Sequence, residues 1–157
     1  MNIRKATSTD SADILQLLKI KAEFDHSMGG SDGQITSSEE KIISTLFRKI
    51  PFAYVFLVEE KSDIQGFAFY HYRYSSFSGV PSIWLDDLLI LKEHRSKKLG
   101  FYLMQSLQLE GKKINASHIA WTASPNNEKG LQFYKRLGAK VDKIINGRPF
   151  FRWEVSA

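Results

Sequence analysis

With 157 residues, 43% of them apolar and 13% aromatic, the chain can bury one core but is too short for two ordinary domains, which excludes general disorder. It has no cysteine, which excludes disulfides, thiolate nucleophiles and zinc–thiolate sites, and no apolar run approaches the roughly 20 residues of a membrane helix. The net charge of +5 is unevenly spread: residues 1–91 have 9 basic and 12 acidic side chains, and residues 92–157 have 13 and 5. The first half therefore suits a cationic partner and the second an anionic one, and an ordinary solvated basic face is the alternative interpretation.

The first half of the chain is predicted to contain a strand, two helices and a hairpin. Ser8 or Thr9 is expected to cap the first helix, and Ser37 or Ser38 the second. Apolar residues that recur about every 3.6 residues indicate a helix, and apolar residues at every second position indicate a strand. The predicted elements are a strand at 2–7, helices ending near 25 and 49, and strands at 53–58 and 64–73.

The second half alternates strands with helices after an aromatic, Ser- and Gly-containing loop at 74–81. The predicted elements are strands at 83–91, 118–122, 140–145 and 149–155, with helices from 99 and over 126–137. The order is therefore β-α-α-β-β-β-α-β-α-β-β. This order predicts an α/β (α+β) fold with a mixed sheet and a β-loop-α crossover, whose helix N-terminus is suited to an anion.

The first segment that suggests chemistry is the basic loop 92–98 with the start of the helix after it. Arg95, Lys97 and Lys98 place three positive charges beside backbone amides that have no partner inside that helix. Gly100 leaves one backbone position open to close approach. The segment is suited to a pyrophosphate, and an ordinary basic loop is the alternative interpretation.

The second such segment, Asn127–Ala139, reads as a capped helix that Gly138 ends. Leu131, Tyr134 and Leu137 share one face of this helix. A core position is therefore the simplest interpretation of the tyrosine from periodicity alone.

Together the two segments resemble the GNAT superfamily of N-acetyltransferases. That family has an Arg/Gln-x-x-Gly-x-Gly/Ala loop, which holds the pyrophosphate of acetyl-CoA, and an Asn-x-x-Ala/Gly-x-x-Phe-Tyr segment on the following helix. Residues 3–153 further resemble its diamine (spermidine/spermine) N-acetyltransferase branch. The residues that carry this second resemblance are Ile3–Thr7, Asp10, Asp13–Leu15, Leu17, Gly66–Tyr70, Tyr74, Phe77, Gly79, Leu85–Asp87, Asn127, Glu128 and Phe133–Arg136.

The resemblance implies a single N-acetyltransferase domain over 1–157, with acetyl-CoA as co-substrate. It implies that backbone groups of the strand bind the pantetheine arm and that the basic loop and following helix bind the rest of the cofactor. The implied cofactor-binding residues are Leu88, Leu89, Ile90, Arg95, Ser96, Lys97, Lys98, Leu99, Gly100, Phe101, Asn127, Gly130 and Tyr134.

The resemblance also implies the catalytic roles and the acceptor. Tyr134 would protonate the leaving thiolate, and Asp86 would attract the acceptor ammonium or accept its proton. Asp87, Phe24 and Asp25 would complete an acceptor site for a polyamine, a diamine or a lysine-like amino acid. Strand alternation predicts that the two adjacent aspartates point to opposite faces unless a bulge intervenes. The aromatic loop at 74–81 is expected to cover the cationic acceptor.

Three positions depart from the pattern of this branch. Ser96 stands where the diamine enzymes usually have Gly, and Lys98 replaces the first glycine of the loop motif. Lys98 suits a helical backbone with its side chain directed outward, and it would not suit a positive φ. The pair Asp86-Asp87 replaces a usual Glu-Asp, so the first carboxylate is one methylene shorter.

Several alternatives and absences complete the prediction. Acetylation of a protein N-terminus or lysine, a catalytically idle CoA-binding module and a nucleic-acid-binding module stay open as alternatives, the last with no supporting motif. The resemblance implies a homodimer, because members of that branch form homodimers. We expect a cytoplasmic protein without a membrane partner, since the first 20 residues lack a signal-peptide core. No nucleic-acid partner is expected. No metal site is expected, because no ligand spacing relates His26, His71, His94 and His118.

Overall fold

The computed structural model describes residues 1–156, which form one seven-stranded sheet with two helices on each side. The order of strands and helices along the chain confirms the prediction. The strands are β1 (Asn2–Lys5), β2 (Tyr54–Glu60), β3 (Asp63–Ser75), β4 (Val80–Ile90), β5 (His118–Thr122), β6 (Lys140–Ile145) and β7 (Arg148–Glu154). The helices are α1 (Ser11–Ser27), α2 (Glu39–Leu46), α3 (Leu99–Lys113) and α4 (Glu128–Leu137).

The sheet is mixed and mostly antiparallel, as predicted. Its strand order is β1-β2-β3-β4-β5-β7-β6, and the pairing of β4 with β5 is parallel while the others are antiparallel. The parallel pair is joined through α3, the crossover that a parallel connection requires. It comprises only Ile83 opposite Ile119 and Trp84 opposite Ala120, and beyond these residues the two strands diverge.

Each face of the sheet is covered by its own apolar cluster. On one face, Ile14 and Leu17 of α1 and Ile42 and Leu46 of α2 pack on β2, β3 and the end of β4. On the other face, Leu99, Leu103, Met104 and Leu107 of α3 pack on the centre of the sheet, with α4 at the side. The two layers meet where β4 and β5 separate, so residues from both faces can reach that opening.

Helix α1 is attached to β1 by a partly buried ion pair. Both carboxylate oxygens of Asp10 accept from the Arg4 guanidinium, at 2.8 and 2.9 Å, and Thr7 donates its backbone N–H at 2.7 Å. These hydrogen bonds lower the pKa of Asp10 to about 2, with the Arg4 side chain as the main cause. The predicted cap at Ser8 or Thr9 was wrong, because residues 8–10 form a 3-10 turn that begins after Thr7.

Strands β3 and β4 form a hairpin that extends into the segment predicted as a loop. Pairing continues from Tyr74 opposite Pro81 to Ser75 opposite Val80, which leaves a turn of residues 76–79. At its tip, the Phe77 side chain is fully exposed. Half of the loop expected at 74–81 is therefore strand, because Tyr74 and Ser75 of β3 and Val80 and Pro81 of β4 continue the ladder.

None of the helices in the part of the chain that the structure describes combines the length and the apolar character needed to cross a membrane.

The ion pair at the start of α1 gives a test of the fold. Replacing Asp10 with Asn should lower the free energy of unfolding by roughly 2–3 kcal/mol at pH 7, because two charge-assisted hydrogen bonds are lost. The folded-state pKa of Asp10 lies below its unfolded value, so its contribution exists above pH 4 and is lost as the pH falls toward 2. Urea unfolding at pH 7 and near pH 2 measures this loss of stability. Asp13→Asn, at an exposed position of α1, serves as the control. An equal effect from both variants at pH 7 would contradict the account.

Candidate active site

A cleft open to solvent lies where β4 and β5 diverge. It is bordered by the C-terminal end of α1, the middle of β4, the end of β5, α4 and the start of β7. The lining residues are Lys21, Phe24, Asp25, Met28, Leu85, Asp86, Leu88, Trp121, Thr122, Ala123, Ser124, Asn127, Tyr134 and Arg148.

The chain after α1 is attached to the opposite wall of the cleft. The backbone carbonyl of Met28 accepts from Ser124 Oγ and from Asn126 Nδ2, each at 3.0 Å. The N–H of Gly30 returns to the carbonyl of Asp25 at 2.9 Å, which ends the helix in a tight turn. These bonds hold the last turn of α1 over the opening between β4 and β5.

A β-bulge positions the two adjacent aspartates of β4. The register places Phe69 opposite Asp87 and Tyr70 opposite Leu85, so Asp86 is the extra residue of the bulge. Asp87 lies beside α1, and Asp86 contacts His71, which is on the same side of β3 as Phe69. The bulge, which the sequence analysis named as the exception, thus brings both carboxylates to the α1 side of the sheet.

Asp86 reaches the cleft and is paired with a histidine. The distance from His71 Nδ1 to its Oδ2 is 2.7 Å, and about a third of each side chain is exposed. Burial raises the pKa of Asp86, and the hydrogen bond and charge of the histidine oppose that shift. His71 is one of the four histidines that no ligand spacing relates in the sequence. The partnership depends on the β3–β4 register, which no local pattern in the sequence reveals.

A lysine of α1 lies among the other carboxylates. Lys21 Nζ donates to Asp25 one helical turn away and lies 3.9 Å from Asp87 Oδ1. Burial raises the pKa of Asp87 to about 6, an effect that the charge of Lys21 only partly offsets. Asp87 lies outside the residues that line the cleft, whereas Asp25 and Phe24 are within it, as the proposed acceptor site requires. The i, i+4 spacing of Lys21 and Asp25 was the one sequence signal for this pair.

Tyr134 lies in an aromatic setting at the wall of the cleft. Its ring centroid is 5.1 Å from that of Trp121 and 5.2 Å from that of Phe151. Its hydroxyl makes no hydrogen bond to any group in residues 1–156. Burial, with a smaller effect from the charge of Asp25, raises the pKa of Tyr134 to about 12. The phenol therefore carries its proton throughout the neutral range and is free to donate it into the cleft.

The basic loop has an unusual backbone. Ser96 and Lys98 have φ values of 68° and 62°, in the left-handed region that favours glycine. The expected helical backbone at Lys98 was therefore wrong, since α3 begins only at the next residue. Ser96 occupies a left-handed position where the resembled enzymes usually have Gly, which gives that departure a physical cost. Both side chains are exposed, as are those of Arg95 and Lys97.

Arg95 connects the basic loop to the acceptor side of the cleft. Its Nε donates to the carbonyl of Ile90 at 3.0 Å, and its guanidinium carbon lies 5.6 Å from the centroid of the Phe24 ring. A cation over an aromatic face is attractive, and more so where water is partly excluded. The arginine expected to hold a phosphate thus also contacts Phe24 of α1.

Two glycines in the proposed cofactor segments serve packing. A Cβ at Gly130 would lie 2.4 Å from Nδ2 of Asn127, whose Oδ1 caps α4 by accepting the Gly130 N–H at 3.0 Å. A Cβ at Gly100 would lie 3.3 Å from the ring of Phe133. The close approach expected at Gly100 is therefore made by α4, which packs against the first turn of α3.

The structure offers two surfaces suited to a long anionic cofactor. Beyond Trp84, the edge of β4 that faces β5 has no strand partner within residues 1–156, which leaves backbone groups of 85–89 available for an extended arm. The first turn of α3 presents free backbone amides beside the exposed cations of the loop. Leu88 lines the cleft, while the side chains of Leu89 and Leu99 are buried and that of Phe101 is exposed. Nowhere in residues 1–156 do three or more His, Asp or Glu side chains cluster to suit a metal ion.

Comparison with known proteins places the chain in context. Residues 19–139 match the acetyltransferase (GNAT) family. A thialysine N-epsilon-acetyltransferase of Bos taurus is 26% identical over 163 residues, which cover 99% of this chain and 93% of that protein. An L-ornithine N5-acetyltransferase of Arabidopsis thaliana is 24% identical over 90 residues, or 56% of this chain and 40% of that protein. The PaiA N-acetyltransferase of Thermoplasma acidophilum in complex with coenzyme A superposes with a TM-score of 0.78 at 18% identity, covering 98% of each chain.

The raised pKa of Asp87 gives a test of the charge cluster. Its folded-state pKa of about 6 exceeds the unfolded value near 4, so the native state loses stability as the pH rises from about 4 to 6. In Asp87→Asn this position no longer titrates. The free energy of unfolding of the variant, relative to that of the parent, should therefore rise by about 1–2 kcal/mol between pH 4 and pH 6. Urea unfolding from pH 4 to 7 measures the difference, with Asp142→Asn on exposed β6 as control. A difference independent of pH would show that burial does not shift Asp87.

Proposed function

Because the chain belongs to the acetyltransferase (GNAT) family, we propose that it transfers the acetyl group of acetyl-CoA to the primary amine of a small cationic acceptor. The family membership confirms the resemblance found in the sequence, and the chain is an acetyltransferase. One observation carries the proposal: a cleft between β4 and β5 brings the carboxylate of Asp86 and the protonated phenol of Tyr134 together. In this proposal, residues 1–157 form one catalytic domain.

The acceptor is inferred from the charge of the cleft and from the names of relatives. Asp25 and Asp86 contribute carboxylates to the lining, with Asp87 close behind Lys21. Opposite charges within a partly buried cleft attract an ammonium and hold it for reaction. Thialysine and ornithine, named for two relatives, both end in a side-chain primary amine. A polyamine, a diamine or a lysine-like amino acid satisfies the same requirement.

Acetyl-CoA supplies an activated acetyl group, as a thioester, when it is bound. Lys97, Lys98 and the first amides of α3 would hold its phosphates, and the open edge of β4 its extended arm. Asn127 faces the cleft while it caps α4, so it can meet the cofactor without losing its structural role. All thirteen residues predicted to bind the cofactor are retained in this proposal. Gly100 and Gly130 contribute to it through the packing of their helices.

Proton transfer is assigned to groups on opposite walls of the cleft. An acceptor amine with a pKa of about 10 is protonated at neutral pH and must lose a proton before it attacks the thioester directly. Asp86 would draw the ammonium in and, with His71 at 2.7 Å, take up that proton directly or through water. Tyr134 would give its proton to the departing thiolate. Asp86 would thus accept the proton of the amine, and Tyr134 would donate a different proton to the sulfur.

Two features weigh against the alternative functions. The attachment of Met28 to Ser124 and Asn126 closes one side of the cleft, which favours a small acceptor over a protein chain. Asp86 and Tyr134 are both present at the cleft with altered pKa values, which an idle binding module would not need. A homodimer, a cytoplasmic location and the exclusion of nucleic acid remain predictions. The aromatic turn at 76–79 lies at the far end of the hairpin, so it has no part in this proposal.

The role of Tyr134 is tested by removing its hydroxyl alone. Tyr134→Phe should lower kcat by about 10²–10⁴-fold, the usual contribution of a general acid. Thermal stability and the KM for acetyl-CoA should stay near those of the parent, because the hydroxyl has no hydrogen bond within residues 1–156 and the aromatic packing is kept.

Steady-state kinetics and melting temperature should be measured on one preparation. Tyr74→Phe, at an exposed position of the hairpin, serves as the matched control. A kcat within about threefold of the parent would assign Tyr134 to the core and leave thiolate protonation to water.

The role of the basic loop is tested at Lys98 by a change that respects its backbone. Lys98→Gly removes the charge at a left-handed position, so it should leave the stability unchanged or raise it. The affinity for acetyl-CoA should fall about tenfold if the ammonium meets a phosphate. Lys61→Gly makes the same change at φ 50° in the turn between β2 and β3 and should not alter cofactor affinity. Equal affinities for both variants would remove Lys98 from the cofactor site.

A further inference from the structure

Arg148, at the first position of β7, is a cleft residue that the assigned roles leave unused. Its Nε donates to Thr122 Oγ1 at 3.1 Å, and that hydroxyl donates to the carbonyl of Pro149 at 2.8 Å. Its Nη1 lies against the turn after α1, 3.7 Å from where a Cβ of Gly30 would be. One edge of the guanidinium is therefore held by Thr122 of β5, and Arg148 is one of the residues that line the cleft.

This guanidinium lacks a negative partner in the protein. No Asp or Glu within residues 1–156 forms an ion pair with it, whereas the other cation of the cleft, Lys21, is paired with Asp25. Arg148 is partly buried, so holding an uncompensated charge there has a cost in desolvation. An arginine held on one edge, with its other donors free, is suited to a carboxylate, which two parallel N–H groups can bind together.

The cleft therefore has charges of opposite sign on different walls. Asp86 on β4 attracts the ammonium that reacts, and Arg148 on β7 is available to an anion. The basic loop contributes no side chain to the lining, so this anion site is separate from the one assigned to the cofactor phosphates. A diamine or polyamine would place its second ammonium in a cleft that already holds an unpaired arginine.

We propose, on the basis of the function proposed above, that the acceptor is an amine that also carries a carboxylate, as a basic α-amino acid does, and that Arg148 binds this carboxylate. Arg148 is thus a specificity-determining residue, which selects amino acids over the corresponding diamines. It takes no part in proton transfer, so its effect falls on the KM of carboxylate-bearing acceptors.

The test uses acceptor pairs that differ only in the carboxylate. Lysine is compared with cadaverine, and ornithine with putrescine, by following CoA thiol release at saturating acetyl-CoA. The parent should prefer the amino acid of each pair by about 10–100-fold in kcat/KM. Arg148→Gln should remove most of this preference by raising KM for the amino acid, with little change for the diamine. Arg148→Lys, which keeps the charge but not the paired donors, should retain part of it.

Arg152→Gln, on the same strand but outside the cleft and paired with Glu154, is the matched control and should keep the full preference. Melting temperature and the KM for acetyl-CoA show whether each variant is intact. If Arg148→Gln does not fold, the Arg148→Lys result decides the question.

Equal kcat/KM for lysine and cadaverine in the parent would overturn the carboxylate site and leave acetyl transfer to amines intact. Activity only toward amines without a carboxylate would overturn it too, whereas no thiol release with any amine would overturn the proposed function itself.

Discussion

The separation of β4 from β5 after only two paired positions is the constraint on which the site depends. Full pairing of these strands would fill the opening and satisfy the edge of β4, leaving neither a cleft nor free backbone groups. The crossover through α3 and the return through α4 place a helix N-terminus and Tyr134 beside that opening. The fold thus gives up hydrogen bonds at the centre of its sheet, and a cofactor arm with backbone-like polar groups can replace them.

The bulge at Asp86 is the second constraint, since one extra residue decides where two charges lie. It keeps Leu85 in the core against α3 while it brings Asp86 and Asp87 to the side of α1. These carboxylates are costly in a partly buried setting, as the raised pKa of Asp87 shows, and Lys21 and His71 compensate for only part of that cost. A cationic acceptor would supply the positive charge that these carboxylates lack. The same uncompensated carboxylates would therefore destabilise the free site and attract the acceptor.

Much of the fold and part of the site could be predicted from the sequence. Hydrophobic periodicity gave the order of elements, because it reports which residues face a core, and two spaced motifs pointed to the cleft residues Asn127 and Tyr134. His71, Lys21 and Arg148 were missed because strand register and helix placement bring them together from distant parts of the chain. The left-handed backbone at Lys98 was missed for another reason, since lysine rarely adopts that conformation and composition gives no sign of it.

The most direct test of the central claim is CoA thiol release from acetyl-CoA, measured for the parent and for Asp86→Asn against diamines, polyamines, basic amino acids, aminoglycosides and a lysine-containing peptide. The account predicts release with at least one small cationic amine, a much lower rate with the peptide, and a kcat/KM for the best amine at least tenfold lower in Asp86→Asn at unchanged acetyl-CoA affinity. No release with any acceptor, or full activity in Asp86→Asn at neutral pH, would contradict it.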